Sequence, residues 1–167
     1  MTNLTATIGE RIYLRRVSVK TLDGETAGAY THSNKRIAAF ITGTGVDAEL
    51  LRDIAMHAAA MSPEALSIEG LDKDFVAKET AFLTDEYQTK MADKSPEMIA
   101  NIVQGALNKK FAEVALLEQV FVKDGSTKIK DLIGSGTLTT MELFHVGEGI
   151  EVEATDFAAE VMAQVNK

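Results

Sequence analysis

Between Asp72 and Val114 two apolar stripes at helical spacing follow one another with only a short break, and this pair constrains the fold more than any other feature. The first runs from Asp72 to Ala92 and carries Phe75, Val76, Phe82, Leu83 and Tyr87 among charged residues. The second, Ile99, Ile102, Val103, Ala106, Leu107, Phe111 and Val114, has the cleanest period in the chain. Ser95-Pro96 separates them and restarts the helix, because serine caps well and proline is tolerated in a first turn. Two such helices joined by a few residues fold back as an antiparallel hairpin, since each needs the other to hide its stripe. Burying each large side chain contributes roughly 1.5 to 3 kcal/mol, so the stripe outweighs a defect such as Gly105.

Strand-like patterns flank this hairpin. Arg11 to Lys20 holds Ile12, Tyr13, Leu14, Val17 and Val19, a pleated-strand composition that predicts the first strand. Asp23-Gly24 marks a turn, and Tyr30 to Thr42 predicts the second strand, apolar on both faces near its middle. Asp47 opens a helix with Leu50, Leu51, Ile54, Ala58 and Met61 on one stripe, closed by Ser62-Pro63. After a turn at Lys123 to Ser126, Ile129 to Ile133 is short and helical or irregular, and Gly134 to Gly136 is another break. Met141 to Val146 predicts the third strand. Thr155 or Asp156 then caps a C-terminal helix with Phe157, Ala158, Val161, Met162 and Val165 on its apolar side. The order implies an α+β fold, a two-layer domain with a small three-stranded antiparallel sheet, a protruding antiparallel helical hairpin and a C-terminal helix. The expected division is an α+β unit of residues 1–71 and 115–152, an inserted helical hairpin (coiled coil) at 72–114 and a C-terminal module at 153–167.

Composition narrows the function. The 167 residues include no cysteine, which removes disulfides, thiolate zinc sites and cysteine nucleophiles and fits a reducing, cytoplasmic setting. The formal net charge of -8 argues against direct nucleic acid binding, and no apolar run is long enough to span a bilayer. The three histidines, His32, His57 and His145, fall in different elements without metal-ligand spacing. His57, at the edge of an apolar stripe, reads first as a hydrogen-bonded structural histidine and second as a partner contact. His145 and Glu148 form an acid and base pair on paper, but a solvated or paired histidine is the commoner outcome. Gly43-Thr44-Gly45 lacks the lysine and third glycine of phosphate loops, so it reads as a plain strand-to-helix turn. Glu148, Glu151 and Glu153 read as a solvated acidic edge, and no GxSxG signature is present. No metal or cofactor is expected, and nothing demands an enzyme.

Several segments taken in order resemble one family. They are Ile8-Gly9-Glu10 with IYLRR (Ile12 to Arg16), YTHSNKRI (Tyr30 to Ile37), IAMHAA (Ile54 to Ala59), GALNKKF (Gly105 to Phe111), LEQVFV (Leu117 to Val122) and FHVGEGIE with TDFAAEV in the tail. Their order and separation are similar to the C-terminal half of bacterial elongation factor Ts, the guanine-nucleotide (GDP) exchange factor of elongation factor Tu. The resemblance implies binding to elongation factor Tu, with a sheet unit contacting its third domain through His32, Arg36 and the His57 helix. It also implies that a tail module with Asp156, Phe157, Val161 and Met162 reaches the nucleotide-binding domain. Asn34 and Lys35 stand where the family usually has glycines, Ala38 follows Ile37, and Leu143 and His145 replace the usual charges flanking Phe144. Thr155-Asp156-Phe157 matches the family's tail, and not the TDF motif of a preceding subdomain that disturbs the magnesium and phosphate site. Exchange by this length is therefore expected to be reduced. The alternative is a self-associating module that uses the helical hairpin, and a homodimer is the corresponding partner.

Overall fold

The computed structural model describes residues 2–149, so the expected C-terminal helix and residues Asp156, Phe157, Val161 and Met162 lie outside the described residues. The element order is α1 (Thr2–Ile8), β1 (Thr26–Thr31), β2 (Ile37–Thr44), α2 (Ala48–Met61), α3 (Lys73–Lys90), α4 (Pro96–Val114), α5 (Ile129–Leu132) and β3 (Thr137–His145). The strands form an antiparallel sheet in the order β1-β2-β3. The fold is α+β, with α2 laid across β1 and β2 and with α3 and α4 packed on each other.

The first strand is not where composition put it. Arg11 to Lys20 forms neither strand nor helix, and β1 starts only after the Asp23-Gly24 turn, at Thr26. The predicted second strand ran through a turn: Tyr30 and Thr31 end β1, and β2 begins at Ile37. Close packing decided this against β-propensity. β1 reads Thr-Ala-Gly-Ala-Tyr-Thr, a weak strand sequence, but its small residues let α2 lie directly on the backbone at Gly28. The third strand extends four residues further back than predicted, to Thr137, past an irregularity at Thr42/Gly43. There the hydroxyls of Thr42 and Thr139 meet at 2.7 Å, so the buried Thr42 side chain keeps a hydrogen bond.

Local chemistry sets the helix ends as expected. Asp47 caps α2 by accepting the Leu50 N–H at 2.9 Å. Ser62 ends it in the left-handed region (φ 47°), the proline that follows having disfavoured a further helical residue. Asp72 accepts two N–H groups at the start of α3, and Ser95 accepts the Met98 N–H at the start of α4. The Ile129 to Ile133 segment contains a single short helix, α5.

Two apolar cores result. In the first, Leu51, Ile54, Ala55 and Ala58 of α2, spaced as one helical face, meet Ala39 and Ile41 of β2 together with Leu116, Phe121, Ile129 and Leu138. In the second, Ile99, Val103, Leu107 and Phe111 of α4 pack with Ala65 and Leu71 against Phe75, Val76, Leu83 and Tyr87 of α3. Phe82, placed on the α3 stripe from sequence, instead points outward and is 64% exposed.

His57 joins the cores. Its imidazole is fully buried, accepts the Val122 N–H at Nδ1 (3.3 Å) and donates from Nε2 to Gln119 Oε1 (2.9 Å), whose amide nitrogen in turn donates to the Glu113 carbonyl at the end of α4 (2.7 Å). The Val122 contact fixes the neutral tautomer. Burial pushes the imidazole pKa below its ordinary 6.5, against an upward pull from the Gln119 hydrogen bond. A depressed histidine pKa means that the unfolded chain takes up a proton before the folded one does. The contribution of His57 is thus complete above about pH 6.5 and is lost as pH falls from there through the folded value, with a slope of at most about 1.4 kcal/mol per pH unit. The urea midpoint should fall between about pH 7.5 and 5.5, above the range where carboxylates protonate. His57→Gln should flatten that window, and a wild-type midpoint constant across it would contradict the assignment.

Candidate partner-binding surface

The β1–β2 turn closes through the His32 N–H donating to the Ile37 carbonyl (2.9 Å) and the Lys35 N–H donating to the His32 carbonyl (2.8 Å). Asn34 Oδ1 accepts the Arg36 N–H at 2.9 Å, and Lys35 takes φ 55°. The turn thus forms without the glycines that the resemblance led one to expect there, since asparagine's side chain bonds to nearby backbone and Lys35 bears the left-handed strain. His32 is half-buried beside Tyr30, whose hydroxyl lies 3.4 Å from Nδ1, whereas Arg36 is exposed.

The end of β3 lies beside this turn, with the Val146 N–H bonded to the Arg36 carbonyl at 2.8 Å. The segment Arg11–Lys20 reaches the same region through its side chains. Arg16 stacks over Phe144 (4.5 Å to the ring centre), donates to the Leu143 carbonyl at 2.7 Å and pairs with Glu148 at 3.0 Å. Arg15 donates to the Glu148 carbonyl at 2.6 Å. Between them lies an open groove of about 560 Å³ whose rim carries Arg15, Arg16, Lys35 and Arg36. The Arg16–Glu148 pair is half exposed, so it orients the segment more than it stabilises the fold. On a chain of net charge -8, this groove is a local concentration of positive charge.

His32 and Arg36 therefore share one surface, and His57 does not belong to it. Being fully buried, His57 has no area to offer a partner, and its geometry matches the structural histidine that its position on the stripe also suggested. The acid and base reading of Glu148 finds no support, because its carboxylate is held by Arg16 and no hydrogen bond among the described residues joins it to the His145 side chain. Gly43-Thr44-Gly45 is a strand-to-helix turn leading into the Asp47 cap. Among the described residues no group of three or more His, Asp or Glu side chains is placed to hold a metal ion, and no helix is long and apolar enough to cross a membrane. Residue-level reading missed the groove's Arg15 and Arg16 and the buried Gln119. The four cations between Arg11 and Lys20, uninterrupted by a carboxylate, were the available signal for the first two. A lone glutamine inside the apolar run Leu116 to Val122 was the signal for the third.

Sheet, paired helices and groove define a class, an α+β fold in which α3 packs on α4 and an open groove at the sheet's end carries four cations. Comparison of the sequence names the family: the family model described as elongation factor TS matches residues 1–148, and the chain belongs to the elongation factor Ts family. It is 42% identical over 164 residues to elongation factor Ts of Hahella chejuensis, covering 97% of this chain and 56% of that protein. It is similarly 42% identical to elongation factor Ts of Spiroplasma citri (97% and 57%) and 43% identical to that of Francisella tularensis subsp. novicida (98% and 55%). The chain spans little more than half the length of these relatives.

Proposed function

We propose that this chain acts in cytoplasmic translation elongation by binding elongation factor Tu, as part of that protein's guanine-nucleotide exchange factor. The observation that carries the reading is the match to elongation factor Ts across 97% of the chain. Contact runs through the turn surface of His32 and Arg36 and through the tail residues Asp156, Phe157, Val161 and Met162. His57 acts only from inside, by holding Val122 and Gln119 in place. Residues 1–71 with 115–152 form the docking unit, 72–114 the inserted hairpin and 153–167 the tail module. The two separate cores support that division, although Ala65 and Leu71 show the hairpin's core reaching back past its boundary. Exchange requires differential contact with a nucleotide-poor state, so these 167 residues by themselves bind better than they exchange.

Titration of labelled elongation factor Tu with this polypeptide tests the reading. Arg36→Glu, on an exposed turn, is expected to weaken binding by roughly tenfold, about 1.4 kcal/mol, without moving the urea midpoint. Binding unchanged by Arg36→Glu would remove the turn from the interface, and absence of any binding by the parent chain would remove the function.

The exposure of Phe82 and Met98 on the hairpin favours a second reading, self-association through α3 and α4. Light scattering that shows a monomer at every concentration would count against it.

A further inference from the structure

The sheet core and the core of the paired helices share no residue among those described, and a narrow joint connects the two units. There the chain enters the helices through residues 64–66 and leaves through residues 114–117, the two stretches running side by side in the same direction. The Glu64 N–H donates to the Val114 carbonyl, the Leu116 N–H to the Ala65 carbonyl and the Leu117 N–H to the Leu66 carbonyl, each at 2.9 Å. Leu116 belongs to the sheet core and Ala65 to the helical one, so the boundary between the cores runs through this pairing. Such bonds tie the entering stretch to the leaving one. A few loop or element-terminal residues of this kind are also where a hinge absorbs rotation, so they do not by themselves fix the angle of the helices to the sheet.

One side chain spans the joint. Among the described residues Gln119 is the only side chain outside the paired helices that hydrogen-bonds to α4, its Nε2 donating to the Glu113 carbonyl at 2.7 Å. Its Oε1 accepts from His57 Nε2 of α2 at 2.9 Å, and its own carbonyl accepts the Ile129 N–H at 3.0 Å, so the sheet unit grips it from two sides. Gln119 is 5% exposed and His57 fully buried, and a swing of the helices away from Gln119 would leave a buried donor unpaired. The Asp53–Lys123 pair (2.6 Å) also ties α2 to the chain beyond the helices, but it is partly exposed and does not touch α4. We infer that α3 and α4 swing as one body about the joint at 64–66 and 114–117, and that Gln119, gripped by His57, is the latch that holds the joint shut. This rests on packing alone, so it can fail while the elongation factor Tu reading stands, and the reverse.

The chain has no cysteine, so spin labels at Glu49→Cys on α2 and Asp93→Cys in the turn between α3 and α4, both exposed, report the angle in the whole chain through their distance distribution. Gln119→Met, which keeps an unbranched side chain but loses the amide, is expected to widen that distribution about twofold and to speed exchange of the Glu64, Leu116 and Leu117 amides about tenfold. Amides inside α3, α4 and β2 keep their wild-type rates, because a body that swings does not unwind. Gln119→Asn, one methylene shorter, cannot reach His57 and Glu113 together; it should act in the same direction, and it decides the matter if Gln119→Met does not fold. Lys123→Met, which removes the link that does not reach α4, should change neither readout. The inference is overturned if the Gln119 variants leave either readout at its wild-type value, if the wild-type distribution is already as wide, or if Lys123→Met widens it equally. It is also overturned if amides inside α3 and α4, or those of β2, speed up together with the amides of the joint.

Discussion

Gly28→Ala is expected to be among the most damaging single-methyl additions in this protein. A Cβ built on Gly28 would lie 2.2 Å from the Leu51 carbonyl carbon, 2.3 Å from the Arg52 nitrogen and 2.6 Å from the Leu51 oxygen. All three are backbone atoms, so no side chain can rotate away, and α2 would have to retreat from β1 by more than an ångström. That retreat would loosen Leu51, Ile54, Ala55 and Ala58 against Ala39 and Ile41 at once. The expected loss is about 4 kcal/mol, a large part of the stability of an ordinary domain. Gly105→Ala is the control, because nothing lies within 4 Å of its added methyl and the position is inside α4. It should raise stability by about 1 kcal/mol through helix propensity. Urea denaturation of the two variants should move the midpoint in opposite directions, and a Gly28→Ala protein as stable as wild type would contradict the packing described for α2.

Phe111→Ala should be comparably costly but in a different place. Phe111 is only 8% exposed, packs 6.3 Å from the Phe75 ring and belongs to a core with few other large buried side chains. Truncation is expected to cost about 3 to 5 kcal/mol through lost burial and the remaining cavity. Because α3 itself buries no residue fully, the loss should open the hairpin before the sheet core. Hydrogen exchange should accelerate in residues 73–114 while the amides of β2 stay protected. Phe82→Ala, at 64% exposure, should change stability by no more than about 0.5 kcal/mol. If the two phenylalanines proved equally costly, the assigned inward and outward faces of the hairpin would be wrong.

The contrast between these phenylalanines shows what sequence can and cannot reveal. Both sit in helical periods, yet α3 has a low apolar content and its stripe is too loose to say which aromatic turns inward. α4 left no such freedom, with Ile99, Val103, Leu107 and Phe111 at successive four-residue steps. The helix ends at Asp47, Ser62, Asp72 and Ser95 were legible because capping is decided within a few residues. The first strand was not. Its position follows from α2 approaching Gly28, a tertiary demand that no count of β-branched residues contains, and Arg11 to Lys20, with Ile12, Val17 and Val19, is left outside the sheet. The α1 helix, Thr2–Ile8, carried no period that singled it out.

The site divides along the same line. His32 and Arg36 are close in sequence and were grouped by resemblance as contacts of the sheet unit, although the strand predicted over Tyr30 to Thr42 ran through the turn that carries them. The groove beside them needs Arg15 and Arg16 to meet Leu143 and Glu148 across more than a hundred residues, a proximity that only the folded chain reveals. His57 was readable as structural from its place on the stripe, but its partner Gln119 lies in another element and was invisible until α2 and the end of the hairpin came together.

The central claim, that these residues make a docking module of the elongation factor Ts family whose binding exceeds its exchange activity, is tested most directly by stopped-flow release of a fluorescent GDP analogue from elongation factor Tu, with binding followed on the same samples. The account predicts a saturable binding signal and release accelerated only slightly over the unassisted rate. Full stimulation of release at submicromolar concentrations of this polypeptide, or release unaltered with no binding at all, would contradict it.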